Sequence, residues 1–174
     1  MKKLWLLVFV LMLSACGFSA GNIPADHFYR LPSPVPVNVV KAVNVKSVQA
    51  DGIYNERAIL FVDKNYPLEL NRYSYHFWAQ NPSQLARIYL QGCLTDSGSA
   101  KSMDETRKVV QLSPVIESFE RVLQNGQSEA VVKLRISQRV YEARVSSKTM
   151  EMHATVDAFG QALQEICVAI ARDI

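Results

Sequence analysis

The sequence has little of what most catalytic and metal sites are built from. Its 174 residues include three histidines and three cysteines. The histidines His27, His76 and His153 are scattered and lack helical metal-ligand spacing, so each is predicted to be a surface or capping residue. The chain also has no Gly-x-Ser-x-Gly, His-Glu-x-x-His, Gly-x-Gly-x-x-Gly or P-loop pattern. The sequence therefore predicts no enzyme, no metal site and no cofactor.

An excess of charge of one sign is also missing. The chain has 19 basic and 16 acidic residues, and two of the basic ones, Lys2 and Lys3, lie in a segment that we expect to be removed. The nearly balanced remainder argues against a basic nucleic-acid-binding face. Hydrophobic residues make up 49% and charged residues 20%, which is typical of one folded domain and not of a disordered chain.

The sequence also has no apolar run that is long enough to span a bilayer comfortably. The ten apolar residues from Leu4 to Leu13 would form a helix of about 15 Å, half of a hydrocarbon core of roughly 30 Å. This run follows the Lys2-Lys3 pair, an order that is typical of a cleaved signal peptide. An ordinary secretory signal cut elsewhere and an uncleaved anchor remain the alternatives.

The segment Leu13-Ser14-Ala15-Cys16-Gly17 resembles the bacterial lipobox. The resemblance implies cleavage after Ala15, a diacylglyceryl thioether on Cys16 and an acylated new N-terminus. Gly17, in place of Asp, resembles the pattern of Gram-negative lipoproteins sorted to the outer membrane, facing the periplasm. We expect a signal peptide at 1–15, an acylated tether at 16–26 and one domain at 27–174.

Cys93 and Cys167 remain as a pair once Cys16 is acylated. In an oxidising compartment they could form a disulfide closing a loop of roughly 75 residues, worth about 3–4 kcal/mol. Both also lie on apolar faces of predicted helices, where an unpaired buried thiol serves as a small hydrophobe. The second interpretation is favoured, and the first stays open.

The hydrophobic pattern predicts both strands and helices. Asn81, Pro82 and Gln84 signal the start of an amphipathic helix at about 82–95, and a second is predicted at 152–173. Strands are predicted at 27–31, 37–48, 58–63, 68–75, 109–112 and 130–140. Residues 115–123 fit helical spacing rather better than alternation, but Asn125-Gly126, a hairpin signal, favours a strand there.

An aromatic cluster precedes the first predicted helix. Tyr75, Phe77 and Trp78 are candidates for a partner-binding or lipid-facing patch. Core or interface packing just ahead of the helix is the favoured interpretation of the cluster, and the exposed patch stays open.

The stretch from Tyr73 to Pro82, followed by the helix at 85–94, resembles the ABC-type transport auxiliary lipoproteins. These PqiC-like proteins accompany MCE-type lipid transport systems. The likeness extends to Phe28-Tyr29-Arg30-Leu31, the turn near Arg57 and the terminal helix. It implies a single α/β domain, a mixed sheet with helices packed on it, carried on a lipid anchor.

The resemblance also implies a function. We expect an outer-membrane lipoprotein that works, as a monomer or a homo-oligomeric ring, beside a periplasmic MCE-domain protein moving phospholipid or a related lipid. Its role is predicted to be non-catalytic docking or scaffolding, with no nucleic-acid partner. The alternatives are an assembly lipoprotein that binds an outer-membrane barrel and an envelope lipid hydrolase.

Overall fold

The computed structural model describes residues 24–95 and 109–174. Its main feature is a mixed sheet in the strand order β1-β5-β4-β7-β8-β9, with a short β3 added beside β7. The strands are β1 (His27–Tyr29), β3 (Gln49–Ala50), β4 (Ala58–Asp63), β5 (Leu70–Trp78), β7 (Val115–Gln124), β8 (Gln127–Ile136) and β9 (Arg139–Ser146). A separate parallel pair consists of β2 (Val43–Val45) and β6 (Val110–Leu112).

Tight turns set the antiparallel part of the sheet. Asn125 and Gly126 have positive φ angles of 49° and 74°, as a two-residue hairpin between β7 and β8 requires. A second turn at Ser137, with φ of 56°, reverses the chain into β9. The predicted strand at 115–123 is confirmed, whereas the strand predicted at 130–140 is interrupted by this second turn.

Two helices cover one face of the sheet, α1 (Pro82–Cys93) and α2 (Met152–Asp173). The side chain of Asn81 accepts a hydrogen bond from the backbone N–H of Gln84 at 3.1 Å, which caps α1 as the sequence predicts. The first helix ends at Cys93, slightly before the predicted end. The α/β fold class, with a mixed sheet and two packed helices, is confirmed. None of the described helices is both long and apolar enough to cross a bilayer.

Three aromatic rings fill the space between the sheet and α2. Trp78, Phe119 and Phe159 are almost fully buried, with ring centroids 4.8–5.4 Å apart. Each pair adopts an edge-on or stacked geometry that aromatic rings favour. This cluster ties the end of β5 to the centre of the sheet and to α2.

A proline strap, defined here as residues 32–36, crosses both helices. Pro32 lies over Gly160 of α2, and Pro34 lies over Gly92 of α1. The backbone of Val35 donates to and accepts from the side-chain amide of Gln164, at 3.0 and 2.8 Å. The strap therefore occupies space that a side chain at either glycine would fill.

The structure joins Cys93 of α1 to Cys167 of α2 in a disulfide, with Cα atoms 6.4 Å apart. The sequence favoured two unpaired core thiols, and both residues are indeed fully buried. The apolar faces of the two helices pack against each other, so the two cysteines are both buried in the core and bonded to each other.

The strand predicted at 37–48 is largely wrong. Within it only Val43–Val45 pairs as strand, because the segment packs against α1. The amide N–H of Val45 donates to the side chain of Gln91, and that of Val37 donates to the carbonyl of Cys93. These two backbone N–H groups thus donate to a side chain and to the end of a helix, and not to a neighbouring strand.

Candidate functional site

The short strand β1 lies at one edge of the sheet, parallel to β5. Phe28 is paired with Phe77, and Tyr29 with Trp78. Successive side chains of a strand point to opposite faces, so Tyr75 and Phe77 project to one face while His76 and Trp78 project to the other. The helices cover only the second of these faces.

This alternation overturns part of the predicted aromatic patch. Trp78 is only 1% exposed and packs against Phe119 and Phe159, so it is a core residue and not a partner-binding one. Phe77 is half-buried, and Tyr75 is exposed. Of the three candidates, the structure therefore places two on the surface and removes one.

The aromatic edge patch, as we define it, consists of Phe28, Tyr75, Phe77 and Arg57. Phe28 is 58% exposed and stacks on Phe77 with ring centroids 5.7 Å apart. The guanidinium of Arg57 lies 5.2 Å from the centre of the Phe28 ring. Its Nε also donates to the carbonyl oxygen of Trp78 at 3.0 Å, which fixes it over the ring. The patch combines apolar surface with a fixed cation.

The sequence does not single out Phe28 as a candidate residue, although its segment carries part of the family resemblance. The signal for its role is the parallel register of β1 and β5, which brings Phe28 beside Phe77. Parallel pairing between positions almost fifty residues apart cannot be read from the local pattern, because it depends on the whole sheet.

A shallow groove of about 440 Å³ borders the patch. Phe77 and Arg57 line one part of it, and the ion pair between Arg72 and Glu56, at 3.2 Å, lines another. Its lining is mixed, with apolar, cationic and acidic groups. The groove continues from the patch past Ala58 and Tyr73.

Behind the patch, on the helix-covered face, the chain's three histidines gather around Tyr29. The rings of His27 and His76 stack at 5.3 Å, the Tyr29 hydroxyl lies 2.9 Å from Nδ1 of His76, and His153 meets the Tyr29 ring edge-on. Burial, and then the charges of His27 and Arg121, lower the pKa of His76. The sequence interpretation had treated the three histidines as unrelated.

The arrangement is suited to contact more than to chemistry. Within residues 24–95 and 109–174, no three His, Cys, Asp or Glu side chains converge as a metal site would require. The functional groups at the patch are two stacked rings, a phenol and a guanidinium. These groups bind by stacking, hydrogen bonding and cation–π contact.

The predicted lipidation site, Cys16, lies outside the described residues, as does the whole predicted signal segment 1–15. The lipid anchor therefore remains a prediction from sequence. The last three tether residues, 24–26, are described and are exposed.

No protein-family model and no curated protein matches this sequence. Solved structures of similar fold include the following two. One is the crystal structure of a Xanthomonas campestris protein described as DUF330, with a TM-score of 0.60 at 18% identity, covering 83% of this chain and 92% of that one. The other, an uncharacterised protein, gives a TM-score of 0.58 at 12% identity and covers 86% and 99%. At these identities the likeness extends to the fold: this chain has the α/β architecture of the DUF330 structure over most of its length.

Proposed function

We propose that this chain is an outer-membrane lipoprotein of an MCE-type intermembrane lipid transport system, with a docking role. The observation that carries the proposal is the fold likeness to a DUF330 protein. DUF330 is the family description of the PqiC-like lipoproteins, the same family that the sequence resembles. The sequence resemblance and the fold likeness both support the proposal.

The anchor follows from the lipobox at Cys16. A single acyl chain binds a membrane only marginally, whereas the two or three chains of a bacterial lipoprotein hold it stably. From Cys16 the tether reaches the domain within a coil of roughly 15–20 Å. The domain is therefore held close to the periplasmic face of the outer membrane.

The aromatic edge patch is the surface that we assign to the partner, the periplasmic MCE-domain protein. Aromatic and arginine side chains contribute most of the binding energy at many protein interfaces. Phe28 and Arg57 already have a fixed geometry, so little ordering is needed on binding.

The test is co-purification of the MCE-domain protein with the lipidated full chain. We expect Phe28→Ala and Phe77→Ala each to lower its recovery about tenfold, which corresponds to a hot-spot loss of about 1.4 kcal/mol. Val140→Ala, at an exposed site on β9, is the control and leaves recovery unchanged. Equal recovery with all three variants would remove the patch from the interface.

Two further measurements address the rest of the proposal. Mass spectrometry of the native N-terminal peptide is expected to show an acylated Cys16, and an unmodified thiol would contradict the anchor. Recovery of an outer-membrane barrel in place of an MCE-domain protein would favour an assembly role. Turnover of labelled phospholipid that a single Ser or His substitution abolishes would favour a hydrolase.

A further inference from the structure

Three connections meet at one end of the sheet, which we call the tip end. The β4–β5 turn lies there because Val62 pairs with Leu70, and the β7–β8 turn lies beside it because Asp63 pairs with Leu123. The loop between β9 and α2 begins at the same level, where Ser146 pairs with Glu129. The β8–β9 turn is at the opposite end.

The β4–β5 turn holds apolar side chains out of the protein. Leu68 is fully exposed and Tyr66 is 65% exposed. The turn itself is ordered by hydrogen bonds. The Asp63 carboxylate accepts from the backbone N–H of Asn65 at 2.9 Å. The backbone carbonyl of Asp63 accepts from the backbone N–H of Tyr66 at 2.8 Å. A third bond runs from the N–H of Glu69 to the carbonyl of Tyr66, at 3.0 Å. A fixed turn thus presents a leucine whose side chain is fully exposed.

A second loop presents an apolar side chain beside it. Arg121 is buried and donates from Nη2 to the carbonyl oxygen of Met150 at 2.6 Å, which ties the β9–α2 loop to the sheet. Met150 is 44% exposed, and its sulfur lies 3.9 Å from the same Nη2. Lys64 and Lys148 are exposed on the two loops, with Glu69 and Glu151 also exposed. This end therefore presents apolar side chains among charges of both signs, so a bilayer contact here rests on apolar burial and not on attraction to anionic lipid.

The path of the chain brings the anchor to the same end. Because β1 is parallel to β5, the chain enters β1 at His27 from the direction in which β5 begins, the tip end. Leu68 lies eight residues before His76, the partner of His27, so it is at most about 27 Å away along the strand direction. The eleven residues from Cys16 to His27 span up to about 36–40 Å when extended. An anchored chain therefore reaches beyond the tip with several ångströms to spare.

We propose that the tip end is a second membrane contact, in which Tyr66, Leu68 and Met150 enter the headgroup region of the phospholipid bilayer that carries Cys16. This inference rests on the anchoring in the proposed function. It fixes the orientation of the domain: the tip end faces lipid, and the β8–β9 turn faces away from it.

The test uses the lipidated full chain in vesicles of phosphatidylethanolamine and phosphatidylglycerol, with bromine on the acyl chains of the lipid. Bromine quenches indole fluorescence only at short range. Of the two native tryptophans, Trp5 lies in the predicted signal segment that lipidation removes, and Trp78 is buried. Leu68→Trp places an indole at the tip, and Val140→Trp places one at a 45% exposed site near the far turn. We expect brominated lipid to lower the added emission of Leu68→Trp by about twofold or more, as for an interfacial side chain. The matched Val140→Trp emission is expected to stay unchanged.

Flotation of the vesicles separates the two ways of failing. If both variants float with the vesicles and Leu68→Trp is not quenched, or both are quenched equally, the tip contact is wrong while the anchoring stands. If neither variant floats, the anchoring is wrong and the tip contact with it. Flotation with selective quenching of Leu68→Trp supports both.

Discussion

Pro32 packs directly on Gly160, so the extended strap and the longer helix meet at a position where only a hydrogen atom fits. The carbonyl oxygen of the same glycine accepts a hydrogen bond from the Tyr89 hydroxyl of α1 at 2.9 Å. Gly160 is thus the point at which the proline strap, α1 and α2 are held together. One turn further along α2, the side-chain amide of Gln164 forms two hydrogen bonds with the backbone of Val35.

Gly160→Ala is expected to destabilise the fold. The new methyl group would overlap the Pro32 ring, and overpacking of this kind costs about 1–3 kcal/mol. Denaturant unfolding of the purified chain measures the change. The control is Gly160→Ala combined with Pro32→Ala, which removes the overlapping ring atoms and should restore most of the loss. An increase in stability, as expected for alanine in an open helix position, would contradict the close contact.

Removal of the disulfide is expected to lower the free energy of unfolding. Cys93 and Cys167 are 74 residues apart, and a loop of this length is worth about 4 kcal/mol in the chain-entropy model. The measurement compares the unfolding of three samples: the oxidised chain, the same chain under a reductant, and a double variant that carries both Cys93→Ala and Cys167→Ala. If the reductant leaves the unfolding midpoint unchanged, the two thiols are not bonded in the isolated protein.

Stability is expected to fall in mild acid because of His76. Its pKa is lowered in the fold, chiefly by burial and then by the charges of His27 and Arg121, so the folded state binds fewer protons than the unfolded state. The contribution of His76 is complete above the unfolded pKa near 6.5 and is lost as the pH falls below it. Unfolding between pH 8 and 5, at roughly unit steps, measures this slope.

His76→Gln keeps a hydrogen-bond acceptor for Tyr29 and removes the titrating ring, so it should flatten the slope. His153→Gln, at an exposed position, is the matched substitution. An unchanged slope in His76→Gln would assign the acid sensitivity to another group.

Arg121→Ala is expected to destabilise the protein by about 2–3 kcal/mol, since a buried charged donor is lost and its acceptors are stranded. Arg121 donates to the hydroxyl of Tyr73, the hydroxyl of Ser128 and the carbonyl of Met150. Hydrogen exchange should accelerate at the backbone of the β9–α2 loop. Arg135→Ala removes a half-exposed ion pair with Glu117 and should cost no more than about 1 kcal/mol. Similar losses for both variants would contradict the role assigned to Arg121.

The elements with strong local signals were predictable from sequence. Asn81 and Pro82 mark the start of α1, and Asn125-Gly126 marks the turn that makes 115–124 a strand despite its helix-like spacing. The segment at 37–48 was only partly predictable: Val43–Val45 forms a short strand beside β6, and the rest of the segment is not strand. Local propensity is similar in the two environments, and tertiary packing decides between them.

The candidate site was predictable in part. The sequence identified Tyr75 and Phe77, yet it also grouped Trp78 with them, although adjacent strand residues face opposite ways. Phe28 and Arg57 join the patch only through the pairing of β1 with β5 and the turn before β4. The gathering of the three histidines depends on the same distant pairing.

The parallel alignment of β1 with β5 has a mechanical consequence. A pull on the N-terminal side of His27, directed along the strand, loads the β1–β5 hydrogen bonds in shear, so that they must break together and not one after another. Further along the chain, the packing of Pro32 on α2 and of Pro34 on α1 also opposes the pull. In a chain anchored through Cys16, as proposed, tension on the N-terminal segment would act on the whole β1–β5 contact at once and would not open it from one end.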